Sequence, residues 1–365
     1  MGQAGGRYPG QYARLGHAIP GYGEKEKAEP YPKVCQRANG LAGQEAFNHA
    51  CWRSFTGNTW SVILSDNLTI KVAVMLTAIP NPATAGSEEL ARLASPPAIA
   101  WPTLALFVCS VVLWTVATTL AVQGYLATGW AIAANALASY WFFTVFHEAA
   151  HRAIGKSAPL NDWLGRISIM PLVPFPIFRA FRFIHMQHHR FANESSDKDP
   201  DAYTGGGAKW LLPLRWATID LKYYAFYLRR MSSRPRSEQT ETVVAFLIGG
   251  SVLVFALAMG WGQEVLLYWL LPGRIALVFL ALAFDYLPHH PRLATQQQNP
   301  WQATNNRVGY EWLLTPVLMW QNYHLVHHLY PRVPFYRYLR VWRAGSDLFM
   351  PNQPLLVDIL GRHIR

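Results

Sequence analysis

The apolar positions of this chain gather into long unbroken runs, without the three-to-four-residue spacing of an amphipathic helix or the alternation of a half-buried strand. Two runs, at residues 100–122 and 126–146, hold no charged side chain and are separated only by Gln123, Gly124 and Tyr125. Each reaches the roughly 20 residues that cross the hydrocarbon of a bilayer, so together they predict a tight helical hairpin. A second hairpin is predicted from runs at about 243–259 and 265–287, which turn at Gly260-Trp261-Gly262-Gln263-Glu264. A further apolar stretch, 61–80, is interrupted by Asp66 and Lys71 and is expected at the membrane interface. Within the last run Arg274 follows Pro272-Gly273. A cation is costly at that depth, and a helix break at the Pro-Gly pair is the expected accommodation.

Charge gives these spans an orientation. Neither hairpin turn has a Lys or Arg, whereas the segment between the hairpins carries many, among them Arg152, Lys156, Arg182, Lys198, Lys209, Arg215, Lys222 and Arg234. Basic residues collect on the cytoplasmic side, so both termini and the middle segment are expected there. The formal net charge is +11 and the aromatic content 14%. In so apolar a chain the positive balance suits anionic lipid, the rings suit an interface, and no nucleic-acid partner is expected. Cys35, Cys51 and Cys109 are too few for a four-cysteine cluster and show no paired spacing. Residues 1–60 lack the pattern of a signal peptide and begin with a stretch rich in Gly, Pro, Tyr and charge. They are expected to form a flexible cytoplasmic arm ahead of a membrane domain over 61–365.

Ten of the 13 histidines fall in four short clusters. The first, His147-Glu148-Ala149-Ala150-His151, puts two imidazoles on one helical face. Alone it is the HExxH of a zinc protease, with Glu148 as general base. The second and third, His185-Met186-Gln187-His188-His189 and His324-Leu325-Val326-His327-His328, share the form HxxHH. Each doublet can serve two metal ions, one per ring. The fourth, Asp285-Tyr286-Leu287-Pro288-His289-His290, ends the last run. An acid there is a functional candidate. All four clusters fall on the cytoplasmic side of an orientation derived without them.

A zinc protease needs three protein ligands and an open position, and this chain offers many more. Eight or more histidines imply two metals. Oxidation of an unactivated C–H bond calls for a redox-active ion, which favours iron over zinc. Candidate carboxylates for orienting the rings are Glu148, Asp197, Asp199, Asp201 and Glu311. A metal transporter or sensor would want polar or acidic groups inside the spans, and the first two have none beyond Ser, Thr and Asn135.

HEAAH, HMQHH and HLVHH resemble the three histidine boxes of the membrane fatty acid desaturase/hydroxylase superfamily. The stretches RFANESSDKDPDAY (190–203), FDYLPHHP (284–291) and QNYHLVHHLYPRVPFYRY (321–338) are most similar to its bacterial and algal β-carotene hydroxylase branch. The resemblance implies an all-α integral membrane fold of four transmembrane helices in two hairpins, with a cytoplasmic helical cap around a di-iron site. It implies two Fe ions held by His147, His151, His185, His188, His189, His289, His324, His327 and His328. Asp285 stands where acyl desaturases of the family have an Asn that helps through water, so direct or water-mediated ligation is expected of it. His290 is left over, to cap a loop or face lipid headgroups. The implied reaction takes O2 and two electrons and removes hydrogen from a lipid C–H bond, giving an alcohol, or an alkene if a second hydrogen goes. A carotenoid ring is the first expected substrate, a fatty acyl chain the second. No dinucleotide fingerprint and no cytochrome b5 HPGG motif is present, so an external ferredoxin or rubredoxin is the expected donor. A bacterial inner membrane is the expected location. Trp141, Phe142, Phe143, Phe178 and Phe183 are the expected tunnel walls.

Overall fold

The computed structural model describes residues 51–56, 59–65, 68–72 and 82–364. It divides into two units, Met1–Thr77 and Ala78–Arg365. The expected N-terminal arm falls mostly outside the described residues. In the first unit β1 (Cys51–Thr56), β2 (Thr59–Ser65) and β3 (Leu68–Val72) form an antiparallel meander. Val62, Ile63, Thr69, Ile70 and Val72 are β-branched, which favours extended pairing. The described part of the 61–80 stretch is therefore strand, and the fold is not wholly helical.

The second unit runs through α1 (Pro82–Ala94), α2 (Trp101–Val122), α3 (Thr128–Ala150), α4 (Ala158–Ile169), α5 (Phe178–Phe191), α6 (Leu212–Ala217), α7 (Ile219–Leu228), α8 (Arg236–Ala258) and α9 (Gly262–His289). It continues with β4 (Asn305–Arg307), α10 (Glu311–Val317), α11 (His324–Leu329), α12 (Tyr338–Ala344) and β5 (Leu355–Val357), the two strands pairing in parallel. The hairpins α2–α3 and α8–α9 turn at Gly124 (φ 78°) and Gly260 (φ 80°). Only a residue without a Cβ takes that backbone freely.

Among the described residues, three helices are long and apolar enough to cross a membrane: α2, α8 and α9. The expected span at 126–146 is the helix α3, whose 23 residues extend about 34 Å at 1.5 Å per residue. Asn135, Ser139, Thr144, His147 and Glu148 make it less apolar than the other three, and it is packed against α2, α4 and α9. It is the interior helix of the unit.

The expected break at Pro272-Gly273 does not occur, because α9 continues through it. A π-helical turn at Leu266–Leu270 precedes the proline, widening the helix where the ring would meet the backbone of the preceding turn. The Tyr268 carbonyl, which an amide at position 272 would normally engage, accepts instead from Asn135 Nδ2 on α3 at 2.8 Å. The same amide reaches Thr118 Oγ1 at 2.8 Å on α2. Gly273 has a separate reason: a Cβ there would strike the Leu172 carbonyl. Arg274 faces protein, donating to Asp220 Oδ1 at 2.7 Å and to the Ala217 carbonyl at 2.9 Å.

Candidate metal centre

Four elements deliver the histidines, and each is pinned by identifiable contacts. The last turn of α3 carries His147 and His151. Arg182 of α5 donates to its terminal carbonyls, Ala150 at 3.0 Å and Ala149 at 3.1 Å, and pairs with Asp162 of α4 at 2.8 Å. A cation at a helix C-terminus answers both the free carbonyls and the dipole. It also fixes α3 against α5, which carries His185, His188 and His189. Past α9, Asn305 Nδ2 donates to the carbonyls of Leu287, Pro288 and His290 at 2.7–3.0 Å. That clamp holds His289 beneath a second π-helical turn, Ala281–Tyr286. The short helix α11 brings His324, His327 and His328, and its Leu325 amide donates to Asn306 Oδ1 of β4 at 3.1 Å.

These elements assemble two sets of imidazoles, every member buried. His147, His151, His185 and His327 form one; His188, His289, His324 and His328 form the other. Within each set the candidate ligand atoms lie within 4.8 Å of one another. The doublet on α11 is split, His327 into the first set and His328 into the second. His189 stands between them. Its Nε2 is 3.2 Å from that of His185, and its ring stacks on His328 with centroids 4.3 Å apart. Both ring nitrogens of His147, His289 and His328, and the Nε2 atoms of His324 and His327, are buried without a hydrogen-bond partner. Such atoms are unfavourable when left alone, and nitrogen donors converging from four sides suit a cation that accepts imidazole.

The surroundings keep most of these rings neutral. Burial, followed by neighbouring imidazoles, holds His185, His189, His324, His327 and His328 well below the usual histidine range. His188 goes the other way. Burial lowers it, but Asp201 and Asp199 outweigh that and raise it. Asp199 Oδ1 lies 2.9 Å from His188 Nδ1 and Asp201 Oδ2 3.3 Å. The other rings with a polar partner on Nδ1 are His324, whose Nδ1 is 2.6 Å from Gln321 Oε1, and His327, whose Nδ1 is 2.9 Å from the Tyr338 hydroxyl. In all three cases the partner occupies Nδ1 and leaves Nε2 for an ion.

Of the five carboxylates proposed to orient rings, only Asp199 and Asp201 touch one. Glu148 accepts from the Phe335 amide at 3.1 Å, Glu311 from the Tyr323 hydroxyl at 3.1 Å, and Asp197 is exposed. Gln321 and Tyr338 were not singled out, although both lie in the 321–338 motif. Nothing in one sequence separates them from its other polar members. Asp285 belongs to neither histidine set. It faces Asp201 and lines an apolar cavity. His290 stacks on Tyr286 at 5.0 Å.

That cavity lies among α3, α5, α7, α9 and the 169–177 connection, with Phe143, Phe146, Phe181, Ile184, Leu277 and Tyr223 in its wall. Of the five expected wall residues only Phe143 lines it. Phe142 packs edge-on against Phe107, Phe178 against Phe146, and Phe183 lies under Arg234, while Trp141 packs on the core. The cavity abuts the first histidine set: Phe181 stacks on His185 at 5.5 Å and Phe143 on His147 at 6.1 Å.

Long apolar helices, two buried histidine sets and an apolar cavity against the first of them describe a membrane protein with a metal-capable centre. The family model described as "Fatty acid desaturase" matches residues 123–358. The chain belongs to that family, and so to the oxygen-using oxidoreductases. It is 26% identical over 220 residues to a dihydrorhizobitoxine desaturase of Bradyrhizobium elkanii, covering 53% of this chain and 60% of that protein. It is 27% identical over 209 residues to a β-carotene ketolase of Paracoccus sp., covering 56% and 76%. Against an sn-1 oleoyl-lipid 12-desaturase of Arthrospira platensis the identity is 23% over 272 residues, covering 65% and 73%. The zinc protease reading falls here. Its two histidines belong to a set of four, its glutamate is turned onto the Phe335 amide, and the family is another one.

Proposed function

We propose that the protein is an O2-dependent di-iron oxidase of lipid C–H bonds, acting on a carotenoid ring. The observation that carries the reading is the pair of buried four-histidine sets, the first of them abutting an apolar cavity. Two irons would be held by His147, His151, His185 and His327 and by His188, His289, His324 and His328, with His189 completing one of them. When bound, they would supply the redox chemistry that activates O2, which zinc lacks.

The chain's own residues do the rest. Asp199, Gln321 and Tyr338 engage the Nδ1 atoms of His188, His324 and His327, which fixes ring rotation and directs each Nε2 inward. Phe143, Phe146 and Phe181 exclude water from the cavity's approach to the centre and give an apolar substrate a surface to lie on. Asp285 and the Tyr223 hydroxyl bring polarity to that wall, placed to meet whatever polarity the substrate carries. Electrons come from a soluble acidic carrier of ferredoxin or rubredoxin type docking on the basic face. The arrangement proposed in the membrane is four spans, α3 included, with the histidines under a cytoplasmic cap, in a bacterial inner membrane.

The carotenoid preference rests on the 190–203, 284–291 and 321–338 motifs and on the β-carotene ketolase relative. The desaturase relatives make a fatty acyl chain the second reading. Expression in cells that make β-carotene, followed by pigment and acyl-chain analysis, decides between them. New oxygenated carotenoids are expected. Unchanged pigments together with new unsaturated acyl chains would establish the second reading.

A further inference from the structure

Resting on the two-ion reading, we infer that the two metal positions are unequal: the one formed by His188, His289, His324 and His328 binds its ion more tightly, because Asp199 and Asp201 act on it through His188.

The inequality lies in the nitrogens that face away from the ions. In that set His188 Nδ1 has two carboxylates, Asp199 at 2.9 Å and Asp201 at 3.3 Å, and both acids are buried. A second ring, His324, has the Gln321 amide oxygen at 2.6 Å. In the other set one ring has a polar partner on Nδ1, His327, and that partner is the neutral Tyr338 hydroxyl at 2.9 Å. Glu148, next to His147 in the chain, is turned onto the Phe335 amide and meets no ring nitrogen. The nearby fixed cations are Arg292 on the side of His188 and Arg182 on the side of His151. Each set thus faces one guanidinium; Arg182 is paired with Asp162 at 2.8 Å, and only the second set has carboxylates on a ring nitrogen. A carboxylate accepting the Nδ1 proton of a ligating imidazole makes the opposite nitrogen a stronger donor. Its charge adds attraction for a dication across a dry interior, where screening is weak. Asp199 is also held rigidly for this work: its carboxylate accepts from the Asn193 and Asp201 amides at 2.8 and 3.0 Å. Asp201 is fixed by the Tyr223 hydroxyl at 2.6 Å. These are positioning residues, since they reach the ion only through the ring.

The test is a titration of the full metal-free chain in detergent with Co²⁺, read by visible absorption and by metal content. The wild type is expected to take up two Co²⁺ per chain in two resolved steps. Asp199→Asn should weaken the tighter step alone, by about 10–100-fold, and Asp199→Glu should recover most of the loss. Tyr338→Phe should weaken only the looser step. If Asp199→Asn disturbs the 193–201 loop and fails to fold, Asp201→Asn carries the same comparison. Two indistinguishable steps in the wild type, or an equal shift of both in the aspartate variants, would overturn the inference while leaving two ions in place. Uptake of fewer than two Co²⁺ would remove the two-ion reading itself.

Discussion

The imidazoles of His185, His324, His327 and His328 are buried, that of His189 is partly so, and all five are held well below the usual histidine range, by desolvation first and then by neighbouring imidazoles. In the unfolded chain the same rings titrate near pH 6.5. Below that pH the metal-free unfolded chain binds protons that the folded chain refuses, so acid favours unfolding, by up to about 1.4 kcal/mol per pH unit for each such ring. His188 has the opposite sign, since its raised value adds stability below pH 6.5 that is lost as pH rises. Buried Asp201, raised by burial first, has the same sign as His188, and the five lowered rings outweigh the two. The melting temperature of the metal-free protein is therefore expected to fall steadily from about pH 7 to pH 5. Calorimetry in detergent that found it flat or rising would contradict this account. Bound metal should be released over the same range, because a ligating ring must be neutral. At this scale the sequence was informative about type and poor about partnership. The repeated HxxHH spacing marks six of the rings and HExxH two more, since few structural roles repeat such spacing. Which ring joins which set, and that Gln321 and Tyr338 rather than Glu148 and Glu311 meet ring nitrogens, depends on contacts between segments far apart in the chain.

Runs of apolar residues announced α2, α8 and α9, and a hairpin turn without charge is easily read. The course of α9 was not, because Pro272 was judged by its local effect alone. The remedy lies on another helix: Asn135, buried in α3, serves the Tyr268 carbonyl that the proline leaves free. Replacing it with Leu keeps the shape but strands that carbonyl and Thr118 together. Asn135→Leu should destabilise the protein by about 1–3 kcal/mol, measured as a lower melting temperature in detergent, while metal content per folded chain stays normal. Arg182→Leu should behave differently. It removes the tie between the end of α3 and α5, so the His147–His151 pair loses its register against His185. Metal content is expected to drop by roughly half or more as the first set fails, and a variant with full metal content would show that the tie is dispensable. The two substitutions thus separate a helix that holds the fold from a helix end that holds the centre.

At the scale of the whole molecule, charge and apolarity support a specific proposal for how the helices sit across the bilayer. α2, α8 and α9 have the apolarity to span; α3 is the proposed fourth span, because hydrocarbon demands nothing of a helix whose polar side chains face other helices. Asn135, Ser139 and Thr144 are buried among neighbours, which is why α3 looks too polar by composition and still fits a membrane interior. If α3 crosses, the histidines of α3 and α9 end on one side, together with Lys209, Arg215, Lys222 and Arg229, and the turns at Gly124 and Gly260 lie on the other. The proposed orientation, from positive charge, has the first group in the cytoplasm. In a background with Cys35, Cys51 and Cys109 changed to Ser, Gln123→Cys and Gln263→Cys should react with a membrane-impermeant maleimide on intact cells. Lys209→Cys should react only after permeabilisation. Labelling of Lys209→Cys in intact cells would place the centre outside and leave a cytoplasmic electron carrier no route to it. Labelling of Gln123→Cys only after permeabilisation, with Lys209→Cys protected, would mean that the first hairpin does not cross.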